Sequence, residues 1–417
     1  MKRVKGTQDF LDLRLLNFII DLAKKQLQTY HFTEIATPII EPLELFKRSL
    51  GLYTDVVSKE MFLIQGNQEE DEAICLRPEA TATTLRAFIE NGVQNIPWKV
   101  FTWGPMFRYE RPQKGRYRQF HQLSMEIVGS ASVAQDALFI TMLDRFFHEK
   151  LHLNNYALVI NYLGCFADRK TYQILLKEFL ESPEAAGICS TCIERKDKNS
   201  MRIFDCRSPS CQEIYRNAPT IVDNLCSACT TEWTQLQEQL HLLSVSYACK
   251  PTLVRGLDYY CKTVFEFVSD NLGAQNTFCG GGRYDQLVTQ PGGKQDQPSI
   301  GAAMGLERIM LLLNPMPQAL IMPQPPALHV IIPMSAEHIS LALLIADTLA
   351  AAGLSVDALV EQDSVKSMLR QTNKIGAAYA LLIGDEEHQS RSITVKNMLT
   401  SAQETIKQID LVAYLKK

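Results

Sequence analysis

The sequence predicts an α+β fold: a domain built on an antiparallel sheet, interrupted by a helical insertion and followed by a small α/β domain at the C-terminus. Three observations lead there. Residues 99–128 read as two long strands joined by a charged loop. Residues 166–249 are polar, helical in pattern and hold seven cysteines. Beyond a proline-rich stretch at 314–326, strand-like and helix-like segments alternate.

At 417 residues the chain is long enough for two or three domains. With 46% hydrophobic and 21% charged residues and no biased tract, it can bury a large core. No apolar run follows MKRVKGTQDF, so no signal peptide is expected. The most apolar stretch, LALLIADTLAAAGL, is broken by Asp347 and is too short to span a bilayer. The expected location is cytoplasmic, with no membrane partner. Eleven cysteines in that setting read as reduced thiols or metal ligands, not disulfides. A net charge of -4 argues mildly against a protein that coats nucleic acid and leaves room for a confined contact.

The first helix is expected within 11–30, where Leu11, Leu15, Phe18, Ile19 and Leu22 recur at helical spacing. The run TEIATPIIEP contains Pro38, which suggests an edge or interface strand. In FHQLSMEIV, alternation puts Phe120, Gln122, Ser124 and Glu126 on one face and Leu123, Met125 and Ile127 on the other. The second set is core; the first would floor a polar ligand site. YYCKTVFEFV reads as another strand and FCGGGRYD as a glycine-rich turn. SIGAAMGLERIMLLL reads as a strand or loop entering a helix with Arg308 in its first turn. In 314–326, NPMPQALIMPQPP is a linker. After it, ALHVIIPM, a helix near 337–352, LSVDALV, a helix near 364–376, AAYALLIG and SITVKNM predict a mainly parallel sheet.

The strongest chemical signal is FRYERPQKGRYRQFHQLSMEIVG. Arg108, Arg111, Lys114, Arg116 and Arg118 crowd one hairpin loop, and a polyphosphate is their natural partner because guanidinium groups bind phosphate oxygens in bidentate fashion. On charge alone, a solvated surface hairpin is the alternative.

This segment resembles the second signature motif of class II aminoacyl-tRNA synthetases, in the form seen in the histidine branch. The strand around Pro38 is similar to the first motif, which in that family lies at the dimer interface, and GLER (305–308) to the third. LVRGLDYYCKTVFEF (253–267) and TFCGGGRYDQLV (277–288) resemble blocks peculiar to the histidine branch, and VKGTQDF and LRPEATATTLRA (76–87) also match. The resemblance implies a catalytic domain over 1–165 and 250–320, the insertion at 166–249, and an anticodon-binding domain at 327–417. It also implies an ATP-dependent ligase of protein biosynthesis. L-histidine would be activated with ATP and Mg²⁺, pyrophosphate released, and histidine transferred to the 3′ end of its tRNA by a homodimer.

In such chemistry the substrate carboxylate is the nucleophile, so the protein supplies placement and charge. By resemblance, Arg108 contacts the α-phosphate, Arg308 clamps the far phosphates, and Arg116 and Glu110 also belong to the ATP site. Arg255 resembles the histidine-branch arginine that stands where other class II enzymes place a metal ion, making Arg255 and Arg108 the catalytic pair. Glu126 and Tyr260 resemble the residues that read the imidazole. Glu79, Thr81 and Gln122 resemble those that hold the amino and carboxylate ends. Tyr259 and Tyr284 would contact histidine or lie beside residues that do, ordinary packing being the alternative. Where the family reads Glu-Gly-Thr, this chain has Glu79-Ala80-Thr81, an alanine that would be strained if its φ were positive.

Cys189/Cys192 and Cys226/Cys229 are CxxC pairs, with Cys206 and Cys211 between them. Two CxxC pairs are a usual tetrathiolate zinc pattern. The family does not depend on zinc, so reduced thiols packed as small apolar groups are the favoured alternative and the metal stays unassigned. His121 reads as a packing or hydrogen-bonding residue. In the C-terminal domain, Lys366, Arg370, Lys374 and Lys396 are candidates for tRNA phosphates, or form a solvated face. A regulatory subunit of ATP phosphoribosyltransferase shares the catalytic fold but lacks the C-terminal domain and loses the arginines that are in place here.

Overall fold

In a computed structural model of the chain, the described residues are all except 52–53, 66–72, 258, 274, 315–324, 362 and 417. They form two compact units, Met1–Met322 and Pro323–Lys417. Most of the proline-rich stretch at 314–326 lies outside the described residues.

The first unit is organised by an eight-stranded sheet. Its order is Thr33–Glu34, Trp98–Phe107, Gln119–Val128, Ser299–Gly305, Thr277–Arg283, Cys261–Val268, Ala157–Tyr162 and Ala248–Cys249. The six inner strands pair antiparallel throughout, and only the two-residue edge strands pair in parallel. Alternation along Gln119–Val128 sends Leu123, Met125 and Ile127 into a core shared with Phe139, Phe265 and Phe267. Helices Arg14–Thr29, Val133–Arg145 and Leu306–Leu313 cover that face. Fully burying an aliphatic side chain of this size contributes about 1.5–3 kcal/mol. Helices between Phe166 and Tyr215 pack around a second core that contains Leu176, Ile203 and Tyr215, whereas the helix Ser227–Leu242 buries Leu236 and Leu240 in the first.

The sheet is tied to the helix Val133–Arg145 by a buried ion pair. Arg283 and Asp136 are 1% and 0% exposed, and Nη2 and Nε of the arginine meet the two carboxylate oxygens at 2.7 Å each. The remaining guanidinium donors reach Ser130 O and Ser132 O, and Thr263 Oγ1 donates to Asp136.

Three sequence expectations are corrected. The buried face of the first helix is Leu16, Ile19, Ile20, Ala23 and Leu27; Leu15, Phe18 and Leu22 are only partly buried and Leu11 is exposed. Two apolar stripes adjoin on this helix, and docking on the sheet selects between them. The glycine-rich FCGGGRYD is no turn: Thr277–Arg283 is a central strand. Its glycines answer close approach. A Cβ on Gly281 would stand 2.2 Å from Gly301 O, and one on Gly280 2.6 Å from Arg255 Nη1.

The third correction concerns the second unit. Its five-stranded sheet runs Ser355–Ala358, Leu328–Pro333, Tyr379–Ile383, Ser392–Asn397 and Gln403–Lys407. The first two pairings are parallel and the last two antiparallel, so the sheet is mixed. The strand Gln403–Lys407 (QETIK) has almost no apolar residue to announce it.

Candidate active site

A cleft of about 840 Å³ opens on the sheet of the first unit. Its wall includes Glu79, Thr81, Arg108, Glu110, Arg116, Gln122, Arg255, Tyr259, Tyr260 and Arg308. Residues scattered over 230 positions of sequence thus share one cavity.

The cationic part comes from the hairpin and the start of the helix Leu306–Leu313. Arg108 donates from Nε to Pro78 O (2.9 Å), and its guanidinium lies 5.4 Å over the Phe120 ring. Arg308 donates to Gly115 O (2.8 Å) and Thr277 O (2.5 Å). Burial lowers the affinity of Arg308 for its proton, and the charges of Arg108 and Arg116 lower it further. Three guanidiniums repelling one another in a concave site amount to a receptor for a polyanion. Arg116 is held by Glu110 and, at 3.4 Å, by Glu60. Burial and the neighbouring Glu110 raise the Glu60 carboxyl to about 7. Of the other hairpin cations, Arg118 stacks 3.7 Å over Tyr109.

The carboxylate and tyrosine part is the more deeply buried. Glu79 accepts from the backbone amides of Thr81 and Ala82, both at 2.8 Å, at the start of the helix Thr81–Glu90. Ala80 has φ −107°, an ordinary conformation for any L-residue, so the added methyl is accommodated without strain. Thr81 Oγ1 donates to Glu126 Oε1 (2.7 Å) and the Tyr284 hydroxyl donates to Glu126 Oε2. Glu126 and Tyr284 therefore stand behind the cleft wall and not on it. Burial pushes the Glu126 carboxyl up to about 8 against the pull of those two donors. The Tyr259 and Tyr260 rings are 4.4 Å apart, and Tyr259 meets Tyr284 edge-on at 5.7 Å.

Arg255 ion-pairs with Glu266, whose other oxygen accepts from Thr277 Oγ1 (2.9 Å), and lies 5.5 Å from the centre of the Tyr260 ring. Among the described residues, Gln122 Oε1 and Arg255 Nε are buried without a hydrogen-bond partner. An unpaired buried polar atom costs about 1–3 kcal/mol, and a ligand would relieve it. His121 is held by Glu307, its Nδ1 lying 2.9 Å from Oε1 while its amide donates to both oxygens.

Sequence reasoning missed Glu60 and Glu266. Glu266 had a signal: it is the one carboxylate in the otherwise largely apolar strand Cys261–Val268. Glu60 lies in an exposed-looking segment and had none. The reading that joined the two CxxC pairs in one tetrathiolate is also corrected. Cys189 and Cys192 meet Cys206 and Cys211, whereas Cys226 and Cys229 meet Cys165 and Asp168.

The sequence matches the family described as Histidyl-tRNA synthetase over residues 19–309, and that described as Anticodon binding domain over 329–417. The chain belongs to the histidyl-tRNA synthetase family. A histidine–tRNA ligase of Solidesulfovibrio magneticus is 40% identical over 100% of this chain and 97% of its own length. One from Clostridioides difficile is 42% identical over 93% of this chain and 92% of its own. The crystal structure of apo S. aureus histidyl-tRNA synthetase superposes with a TM-score of 0.82 at 33% identity, covering 100% of both chains.

The second unit carries its own shallow cleft of about 540 Å³, lined by Lys366, Arg370, Asn373 and Lys396 among others. Lys374, on the same helix, does not line it.

Proposed function

We infer that the cleft of the first unit performs the histidine–tRNA ligase reaction of the family, and that the named residues divide the work as follows. L-histidine sits against Glu79, Gln122 and Tyr260, and Glu126, held behind the wall by Thr81 and Tyr284, supplies the carboxylate charge that the imidazole faces. ATP lies along Arg108, Arg116 and Arg308, and Mg²⁺ accompanies its phosphates.

The histidine carboxylate forms the new bond to the α-phosphorus and pyrophosphate departs. The terminal ribose hydroxyl of tRNA then attacks the acyl carbon and displaces AMP. No side-chain nucleophile takes part. Arg255 places a fixed positive charge beside the reacting carboxylate and phosphate, stabilising charge that develops in the transition state. The observation that carries this reading is the presence, in one cleft, of a guanidinium cluster beside Gln122 Oε1 and Arg255 Nε, two buried polar atoms lacking partners.

The second unit is proposed to meet tRNA through Lys366, Arg370 and Lys396. No helix among the described residues is long and apolar enough to cross a membrane, and a cytoplasmic enzyme is the corresponding proposal. A homodimer belongs to the same reading. Ile40 and Leu63, on the small sheet of Ile40–Pro42, Ile74–Leu76 and Phe62–Ile64, and the adjoining Ile39 are exposed apolar residues that a second copy would cover.

ATP–pyrophosphate exchange with each of the twenty amino acids tests the reading. Exchange with histidine alone, lost in Arg255→Ala, is expected. Tight histidine binding without exchange would turn the protein into a histidine sensor.

A further inference from the structure

Four cysteines of the insertion converge in a way the ligase reaction does not use. Sγ atoms of Cys189, Cys192, Cys206 and Cys211 all lie within 4.8 Å of one another, and three of the four residues are buried. They come from three local structures. Cys189 precedes and Cys192 opens the helix Ser190–Lys198, Cys206 closes the short helix Ser200–Asp205, and Cys211 lies in the helix Pro209–Tyr215.

We propose that Cys189, Cys192, Cys206 and Cys211 bind one Zn²⁺ as a tetrathiolate that fixes the insertion's wall of the cleft. The spacing fits the ion. A Zn–S bond of about 2.3 Å sets the edge of a regular ZnS₄ tetrahedron at about 3.8 Å. Cys189 Sγ and Cys206 Sγ are 3.8 Å apart, and all four thiols are free.

The surroundings fit metal-bound sulfur as well. The Cys189 amide donates to Cys211 Sγ (3.2 Å) and the Ser208 amide to Cys206 Sγ (3.4 Å). Backbone donors aimed at sulfur steady a thiolate and orient it toward a metal. An all-sulfur tetrahedral set selects zinc over harder cations. The second group, Asp168, Cys226 and Cys229 of the insertion with Cys165 just before it, differs in kind. The Asp168 carboxylate there already accepts from the amides of Cys165 (3.2 Å) and Cys226 (3.0 Å), and Cys226 is exposed.

The site is joined to the reaction cleft. Cys189 and Cys206 line it themselves, together with Arg195, Arg202 and Arg207 from the same segments. Arg202 reaches across to Asp55 at 3.0 Å. Binding Zn²⁺ would close the loop between residues 192 and 206 that carries Arg195 and Arg202. The ion would therefore hold that wall in place for ATP without touching the reacting atoms.

The test is metal analysis and X-ray absorption on the full-length protein, purified under reducing conditions, supplied with zinc and desalted. One zinc per chain, surrounded by four sulfurs at about 2.3 Å, is expected. Cys189→Ser and Cys206→Ser should each lose it, and Cys226→Ser should keep it. Co²⁺ in place of zinc should give the intense absorption and thiolate charge-transfer bands of a tetrahedral S₄ site, a readout on the unaltered chain that needs no variant to fold. Absence of retained metal, a mixed sulfur–oxygen shell, or zinc that survives in Cys206→Ser but leaves with Cys226→Ser would each overturn the proposal. In the metal-depleted protein the KM for ATP should rise several-fold more than the KM for histidine; equal changes in both would overturn the link to the cleft wall.

Discussion

The Tyr284 hydroxyl donates to Oε2 of Glu126, and the two side chains are each 1% exposed. The tyrosine does not line the cleft; it fixes the carboxylate that stands behind the wall. Tyr284→Phe leaves that oxygen unsatisfied in a buried site, at about 1–3 kcal/mol. The KM for histidine in pyrophosphate exchange should rise by about ten-fold or more, with the KM for ATP nearly unchanged. Equal effects on both substrates would show that the tyrosine supports the fold at large.

Glu126 also gives a pH prediction. Burial raises its carboxyl from 4.5 to about 8. A carboxyl raised in the folded state keeps its proton there longer than in the unfolded chain. Its contribution to stability is whole below about pH 4.5 and is lost as pH rises through about 8. Glu126→Gln should therefore lose less Tm than the parent between pH 6 and pH 8.5. Histidine affinity, which needs the carboxylate, should strengthen over the same interval in the parent and stay flat in the variant; calorimetric titration across that range decides it.

Gly301 is paired in register with Glu126, and a Cβ there would stand 1.6 Å from Glu126 Oε2. The carboxylate has no room to yield while Thr81 and Tyr284 hold it. Gly301→Ala should reduce histidine-dependent exchange more than a hundred-fold, about 3 kcal/mol or more. A variant that is folded by circular dichroism and still active would show that Glu126 can be relocated.

The ion pair of Arg283 and Asp136 is structural. Arg283→Met strands a buried carboxylate and should destabilise the first unit by about 3–5 kcal/mol in urea unfolding. The double variant Arg283→Met with Asp136→Leu should recover part of that loss, because the fully buried carboxylate is gone and Asp285, the arginine's other partner at 3.2 Å, keeps Lys262 at 3.8 Å. No recovery would locate the cost in packing.

In the second unit, Lys366→Ala or Lys396→Ala should raise the KM for tRNA and leave pyrophosphate exchange intact. Each should also flatten the dependence of log K on log salt by about 0.7–0.9. Lys374→Ala, outside that cleft, should change the slope least. A uniform effect of all three would mean a diffuse field and no defined contact.

The α+β architecture was legible because its long antiparallel strands carry clean alternation, as in Gln119–Val128. The cationic wall was legible in part: five cations crowd the hairpin, of which Arg108 and Arg116 line the cleft while Arg111, Lys114 and Arg118 do not. Other features had no local signature. Gly280, Gly281 and Gly282 look like a turn until the neighbouring strands and Arg255 are set against them. The strand Gln403–Lys407 is mostly exposed and polar, so its pairing partner alone makes it a strand.

The sequence by itself determined the fold class, the presence of an arginine-rich hairpin and the family. Periodicity, charge density and residue order are local properties, and they survive in a linear text. Only the tertiary structure decided which atoms meet. It set Tyr284 and Glu126 behind the cleft wall, paired Arg255 with Glu266, and joined Cys189 and Cys192 to Cys206 and Cys211 instead of to the second CxxC pair. Those choices depend on contacts between distant segments, set by packing and by the need to satisfy buried charge, and spacing along the chain does not encode them.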